Sequence, residues 1–393
     1  MKKSVLRTAG VYVGFLVLAA CVVLIGHVIA PPSSAGAASL EGRASATTNA
    51  TSANASADAS AMPNAAAKAK AQEAGASGYH LVHKFKLGGE GGWDYLLYDS
   101  KMDRLFISRG TRVLVVDPKT GKQIGEITGF TRSHGIALAP EFNKGFASDG
   151  EPGSVTVFDY KTLKVLEHLT TAPDCDGIIY DPATKRVFTM NGDSGSSTAI
   201  DAQAGTVVGT FPLGGKPEFA QADGKGHVFA NLEDKSELVK IDAKNLRVTN
   251  TWELAPCKSP SGLAIDAKNE RLFPGCHSGV MGFVDGNSGK MLGTVPIGQG
   301  IDAARFDAKT EYAFASCGDG TITVAHEESA DKLVKVDEIK TQRGARTMAL
   351  NSKTHMIYTV TADFGPMPAA KPGERFRRPP IIPGSFVLLE YGR

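Results

Sequence analysis

The sequence predicts an all-β fold: a seven-bladed β-propeller over residues 78–393, preceded by an N-terminal hydrophobic helix and a disordered Ala/Ser/Thr-rich linker. Three observations carry this. A strand motif recurs every 40 to 44 residues, a second mark keeps step with it, and each unit holds four short β runs. The first mark is an acidic or polar residue, usually a short Lys-containing turn, then a strand with an aromatic: Asp99 to Phe106, Asp181 to Phe188, Asp223 to Phe229, Asp266 to Phe273, Asp307 to Phe314 and Asn351 to Tyr358, with a weaker copy ending at Phe146. The second is a β-branched or aromatic residue followed by Asp before a tight turn, at Val116-Asp117, Phe158-Asp159, Ile200-Asp201, Ile241-Asp242 and Val284-Asp285. An open solenoid would use shorter repeats.

From the N-terminus, Lys2, Lys3 and Arg7 precede a run from Ala9 to Ala30 long enough to cross a bilayer, in an N-in, C-out orientation. Residues 1–30 therefore read as a signal anchor or signal peptide. Three fates stay open: an uncleaved anchor, cleavage after Ala35-Gly36-Ala37, or lipidation of Cys21 within Leu18-Ala19-Ala20-Cys21. The apolar run continues through Val22, Val23, Leu24 and Ile25, where a lipoprotein turns polar, and this favours the anchor. The expected address is the periplasmic side of an inner membrane, anchored or secreted. Residues 31–77 are rich in Ala, Ser, Thr and Asn and cannot bury enough apolar surface to offset ordering, so they read as a flexible spacer.

The first strand of the folded part is His80 to Leu87, which resembles the outer strand of a blade. The last unit ends on its third strand, Ser385 to Leu389, so the N-terminal strand is expected to complete blade seven and close the ring. A typical blade is the unit near Pro260, with runs at Gly262 to Asp266, Arg271 to Pro274, Val280 to Asp285 and Met291 to Ile297 and turn residues between them. Residues 364–384 interrupt blade seven as a Pro-rich basic insertion with Lys371, Arg375, Arg377 and Arg378. It reads as a lid or partner-binding loop, or as a solvated loop stiffened by proline.

Composition narrows the function classes. Lys plus Arg total 43 against 41 Asp plus Glu, a net +2, so the chain lacks the overall basic excess of many nucleic-acid binders. With 42% hydrophobic and 21% charged residues, wholesale disorder and a long coiled coil are excluded. No HExxH, P-loop or dinucleotide fingerprint is present, and Gly192-Asp193-Ser194-Gly195 reads as a turn.

The repeats resemble the YVTN-type, YncE-like seven-bladed propeller family. Phe188-Thr189-Met190-Asn191-Gly192 and Tyr358-Thr359-Val360-Thr361 look like its strand motif, and Val116-Asp117-Pro118-Lys119-Thr120-Gly121-Lys122 looks like its turn motif. The resemblance covers Gly78 to Arg393 and implies an exported propeller, with ligand or nucleic-acid binding described among its members and lactonase-like propellers as structural relatives. His326 stands where the turn Asp is expected, and Lys144-Gly145 precede Phe146.

The residue five before each first mark lies at the start of an inner strand, one per blade: Asp94, His134, Asp176, Glu218, Ser261, Asp302 and Arg346. Together they form a candidate ligand-binding ring at a channel mouth, with Arg343 extending its basic side and Trp93 as an aromatic platform or, as is commoner for a tryptophan here, as blade packing. The carboxylates Asp94, Asp176, Glu218 and Asp302 are the candidate ligands for a divalent cation, the one cofactor the ring suggests. Close carboxylates also raise one another's pKa and supply a candidate base. The alternative is a set of polar residues that satisfy loop backbone and solvate the channel. Of the cysteines, Cys257 and Cys276 enter one blade from the same face and are the expected disulfide.

The leading expectation is a non-catalytic exported propeller, tethered to the membrane through its N-terminal helix, that binds a ligand or protein at its channel face. A lactonase-like or other metal-assisted hydrolase is the alternative, and nucleic acid is a further partner class, for which stacking aromatics are few.

Overall fold

Five aspartates and one asparagine explain why the first mark of each unit is a turn. In the computed structural model, which describes residues 77–151, 153–368 and 379–393, Asp99, Asp181, Asp223, Asp266, Asp307 and Asn351 each accept a hydrogen bond from the backbone N–H two residues on. The second mark does the same at Asp117, Asp159, Asp201, Asp242 and Asp285. Both repeat marks are therefore Asx-turns at the ends of descending strands, and the conserved spacing is the spacing of hairpins.

The seven blades follow in chain order. Blade 1 comprises Leu96–Asp99, Arg104–Ser108, Gly110–Val116 and the first part of Gln123–Ala139, whose second part opens blade 2 with Lys144–Asp149, Ser154–Asp159 and Val165–Thr170. Blade 3 is Cys175–Asp181, Arg186–Asn191, Ser196–Asp201 and Thr206–Pro212; blade 4 is Pro217–Ala222, His227–Leu232, Glu237–Asp242 and Arg247–Glu253. Blade 5 is Pro260–Asp266, Arg271–Cys276, Val280–Asp285 and Met291–Pro296; blade 6 is Ile301–Asp307, Tyr312–Cys317, Thr321–Ser329 and Lys332–Lys340. Blade 7 orders as His80–Lys86, Val387–Gly392, Met356–Thr361 and Met348–Asn351, so the N-terminal strand is its outer strand, paired antiparallel from His80 with Gly392 to Lys86 with Val387. The ring is closed as the sequence predicts.

Three departures have physical causes. Blades 1 and 2 share one continuous strand because the Asp149 carboxylate accepts the N–H groups of Thr131 and Arg132 at 2.9 and 2.7 Å and holds the crossing segment extended. The blade 2 turn carries Ala139 in place of the Asp; a single 3-10 turn, Pro140–Phe142, replaces the side-chain cap and ends on Asn143 at φ 53°. In blade 6, where His326 replaces the second Asp, the hairpin simply runs on to Ser329 before turning.

The repeat aromatics Phe106, Phe146, Phe188, Phe229, Phe273, Phe314 and Tyr358 lie on second strands, none more than 3% exposed, and pack between neighbouring blades. Burying such rings is the main source of stability in a ring of separate sheets. Inner strands run from the mouth face, where the candidate ring residues sit, to a far face that carries both sets of Asx-turns. Among the described residues no helix is long and apolar enough to cross a membrane. The expected helix at 1–30, the spacer up to residue 76, and Lys371, Arg375, Arg377 and Arg378 of the insertion lie outside the described residues. Its base is described, and there Phe364 bridges to Ile381.

Candidate functional site

Starting the inner strands at equivalent positions places seven side chains around one axis. Asp94, His134, Asp176, Glu218, Ser261, Asp302 and Arg346, one from each blade, line a single cup of about 500 Å³ at the mouth. Asp174, Glu233, Arg132 and Lys216 line it as well, so six carboxyl groups face three permanent cations. Arg343 is exposed and stands outside this cup, beside a second cavity of about 480 Å³ under the base of the insertion.

Within the cup His134 is the hub. Its Nδ1 is 2.5 Å from Asp94 Oδ2 and 3.4 Å from Asp176 Oδ1. Arg346 spans the next gap, with its terminal nitrogen 3.3 Å from Asp94 Oδ1 and its Nε 3.1 Å from Asp302 Oδ2. The same guanidinium donates to the Trp93 carbonyl at 2.9 Å. The potential metal-ligand atoms of Asp94, His134 and Asp176 all lie within 4.8 Å of one another. Glu218 and Asp302, also expected as metal ligands, line the cup outside that group.

Burial dominates the protonation of these groups, and neighbours decide its sign. For Asp94, burial pushes the pKa up, but the His134 hydrogen bond and the charges of His134 and Arg346 outweigh it and hold the carboxyl below its ordinary value. For His134, burial pushes down, and Asp94 and Asp176 lift it above the ordinary imidazole value. Asp176 lacks enough compensation: burial, with Asp94, Asp174 and Asp302 nearby, raises it to about 7 against the pull of His134. Glu218 is raised well above its ordinary value by burial and by Asp176, Glu233 and Asp302. The cup thus holds one pair whose charged forms favour each other, Asp94 with His134, and two carboxyls, Asp176 and Glu218, whose protonated forms are favoured by burial and by one another.

Below the ring the channel is plugged. Tyr95 stacks on Phe219 with centroids 5.1 Å apart, and Arg305 lies 5.1 Å over the Phe219 ring while donating to Ala304 and Leu96 carbonyls at 2.7 and 3.3 Å. A cavity of about 30 Å³, room for a water, separates the carboxylates from this plug. Burial lowers the Arg305 pKa to about 10.

The supporting shell is regular and was not predicted. Two residues after the repeat aromatic, Ser148, Asn231 and Ser316 bond the backbone of the next blade's ring residue: Ser148 Oγ donates to Asp176 O at 2.5 Å, Asn231 Nδ2 to Ser261 O at 3.0 Å, and Ser316 Oγ to Arg346 O at 2.5 Å. The visible signal would have been a recurring small polar residue at that offset. Arg109, only 1% exposed, donates to the carbonyls of Glu90, Gly91 and Gly92 and lies 3.7 Å over the Phe386 ring, so it fixes the loop that delivers Trp93 and Asp94. Trp93 is not an open platform: it is 7% exposed and packs against Phe364 and Phe386, because the base of the insertion covers its face. Cys257 and Cys276 form the expected disulfide with Cα atoms 5.6 Å apart, whereas Cys175 and Cys317 are free and buried.

No protein-family model and no curated protein matches the chain. Solved structures share its fold. It is similar to the structure titled U3-55K, at 10% identity and TM-score 0.65 over 79% of this chain and 98% of that one. The WD40 repeats of RRP9 align at 11% identity and TM-score 0.66 over 81% and 98% of the two chains. A chain of the hydrazine synthase of Kuenenia stuttgartiensis aligns at 15% identity and TM-score 0.58 over 72% and 95%. At these identities the likeness establishes the propeller fold.

Proposed function

We propose that this protein is an exported, membrane-tethered propeller that binds a small cationic ligand in its mouth-face cup without transforming it. One observation carries the reading: carboxyl groups from four different blades meet in one cup whose floor is closed by Tyr95, Phe219 and Arg305. A blind, acid-rich cup suits a compact cation, and a buried Asp176 that holds its proton up to about 7 gains an ionic partner when such a ligand enters. The likeness of the strand and turn motifs to YVTN-type, YncE-like propellers supports the export reading, as does the apolar run from Ala9 to Ala30.

A second reading, metal-assisted hydrolysis, is favoured by the Asp94, His134 and Asp176 group. Those three residues offer two oxygens and a nitrogen to a divalent ion, which would polarise a substrate carbonyl or activate a water, and Glu218 is the adjacent group able to hold a proton.

Thermal unfolding with and without chelator, then with Ca²⁺, Mg²⁺, Mn²⁺, Zn²⁺ or organic ammonium ions restored singly, tests both. A ligand at about 100 times its Kd adds roughly 2.7 kcal/mol, a shift of a few degrees. The shift should vanish in Asp176→Asn and Asp302→Asn. Stabilisation by ammonium ions alone supports the first reading, stabilisation by one metal together with ester or lactone cleavage supports the second, and no shift with any cation overturns both.

A further inference from the structure

The far face is chemically lopsided. Of the large hydrophobic side chains that stand exposed among the described residues, Leu81 and Val82, Ile124, Val165 and Leu166, and Val207 and Val208 all lie in the first residues of outer strands, where those strands leave the far face. They belong to four consecutive blades, 7, 1, 2 and 3. Met102, 46% exposed in the first turn of blade 1, adds to the same side. The corresponding positions of blades 4, 5 and 6 start with Arg247, Met291 and Lys332, and none of their apolar neighbours stands exposed.

Neighbouring blades of this arc touch: Gly121 abuts the Phe85 ring, Gly125 abuts Leu163, and Gly205 abuts the Glu167 carboxylate. Cations stand among these side chains. Lys101, Lys122, Lys161 and Lys164 are exposed in the turns of blades 1 and 2, and among the described residues their ammonium groups have no hydrogen-bonded or ion-paired partner. Exposed lysines also occupy the turns of blades 4, 5 and 6, at Lys244, Lys268, Lys290 and Lys309, so it is the aliphatic side chains beside the lysines that set this arc apart. Interleaved unpaired lysines and exposed aliphatic side chains are the chemistry that binds a negatively charged lipid surface.

The chain also enters on this face. Ser77 hydrogen-bonds Asp337 through its N–H and hydroxyl at 2.9 and 2.5 Å, and the Tyr79 hydroxyl donates to the carbonyl of His355, a far-face turn residue, at 2.8 Å. Ser77, where the described part of the chain begins, is thereby held beside the apolar arc and away from the cup.

We infer that the far-face rim of blades 7, 1, 2 and 3 docks on an anionic bilayer surface and so turns the acidic cup away from the lipid. The inference stands on the rim alone and requires neither a ligand in the cup nor a particular fate of the N-terminus.

The test uses the full chain, Cys21→Ser, with a donor fluorophore on Thr162→Cys at the rim or on Asp193→Cys at the mouth face, and vesicles with a headgroup acceptor. Phosphatidylcholine vesicles are compared with vesicles containing phosphatidylglycerol. Energy transfer from the rim should be at least twofold higher on the anionic vesicles and fall with salt, while transfer from the mouth face stays low on both. Lys101, Lys122, Lys161 and Lys164 changed together to Glu should abolish the difference, and Leu166→Ser with Val208→Ser should halve it, with unchanged circular dichroism. If the N-terminal run does not insert, anionic vesicles must still recruit the chain at low salt. Equal transfer from both positions, indifference to lipid charge, or a rim that ignores vesicles but forms dimers lost in the Leu166→Ser and Val208→Ser variant would overturn the inference; the last result would assign the rim to a second copy of the chain.

Discussion

His134 Nδ1 stands 2.5 Å from Asp94 Oδ2 across the joint between blades 2 and 1, and this contact couples the protonation of the two residues. It draws Asp94 below and His134 above its ordinary value, while burial and the neighbouring carboxylates raise Asp176 to about 7.

His134→Ala should cost about 1 to 3 kcal/mol, because a buried Asp94 loses its main hydrogen-bond donor. The pair's own contribution follows from its two shifts. Asp94 is depressed, so its share is lost as pH falls through its folded pKa; His134 is raised, so its share is lost as pH rises through its own. Urea unfolding across pH 3 to 9 should show the wild-type advantage over the variant confined between those limits.

Asp176→Asn should stabilise the unliganded protein at pH 8 by about 1 to 2 kcal/mol and leave it unchanged at pH 4. A carboxyl whose folded pKa is raised to about 7 binds more protons folded than unfolded, so wild-type stability declines as pH climbs from about 4 to 7. The full shift would convert to a larger figure, which the partial exposure of the Asp176 side chain reduces. Parallel unfolding curves at all pH values would refute it.

Arg109→Met should destabilise by about 2 to 3 kcal/mol by orphaning the carbonyls of Glu90, Gly91 and Gly92 and removing the cation over Phe386. Because those residues lead into Trp93, the variant's tryptophan emission should shift red before global unfolding.

Removing Tyr79 to Leu87 should lower the unfolding midpoint by roughly 5 °C or more, since Val387–Gly392 then becomes an open edge. A truncation that melts like the intact protein would show that the ring does not depend on this strand.

Cys257→Ser with Cys276→Ser should cost about 3 kcal/mol, the chain-entropy value for a closed loop of this length. The two cysteines are 19 residues apart. Comparing the variant with reduced wild-type protein in guanidinium checks it.

The blades were legible because Asx-turns and a buried aromatic recur in every unit, and both leave marks at fixed offsets: Asp266 and Phe273 specify a turn and a core position with no knowledge of the rest. The ring was legible for the same reason, since one offset from those turns reaches Asp94, His134 and Asp176 alike. Contacts between blades were not. The plug forms from Tyr95, Phe219 and Arg305, which keep the repeat spacing close behind the ring residues Asp94, Glu218 and Asp302, but that spacing does not say which side chains meet across the axis. The run-on strand through Gln123–Ala139 depends on Asp149 reaching back to Thr131, a tertiary bond that resembles an ordinary polar residue in sequence. Trp93 left platform and packing both open in the sequence, because the ring that covers it, Phe364, arrives from an insertion outside the repeat.

The seal of blade 7 has a temporal side. His83 and Glu390, 2.8 Å apart in the closed ring, are 307 residues apart in the chain. During synthesis the first strand emerges with no partner and waits, while six blades can form one after another from local hairpins. Closure is then the one pairing in the molecule that must span nearly the whole length of the propeller, so it should come last and slowest. Until it does, the chain has an unlatched end, still threadable and still vulnerable to proteases, and the finished ring marks the moment at which both properties are lost.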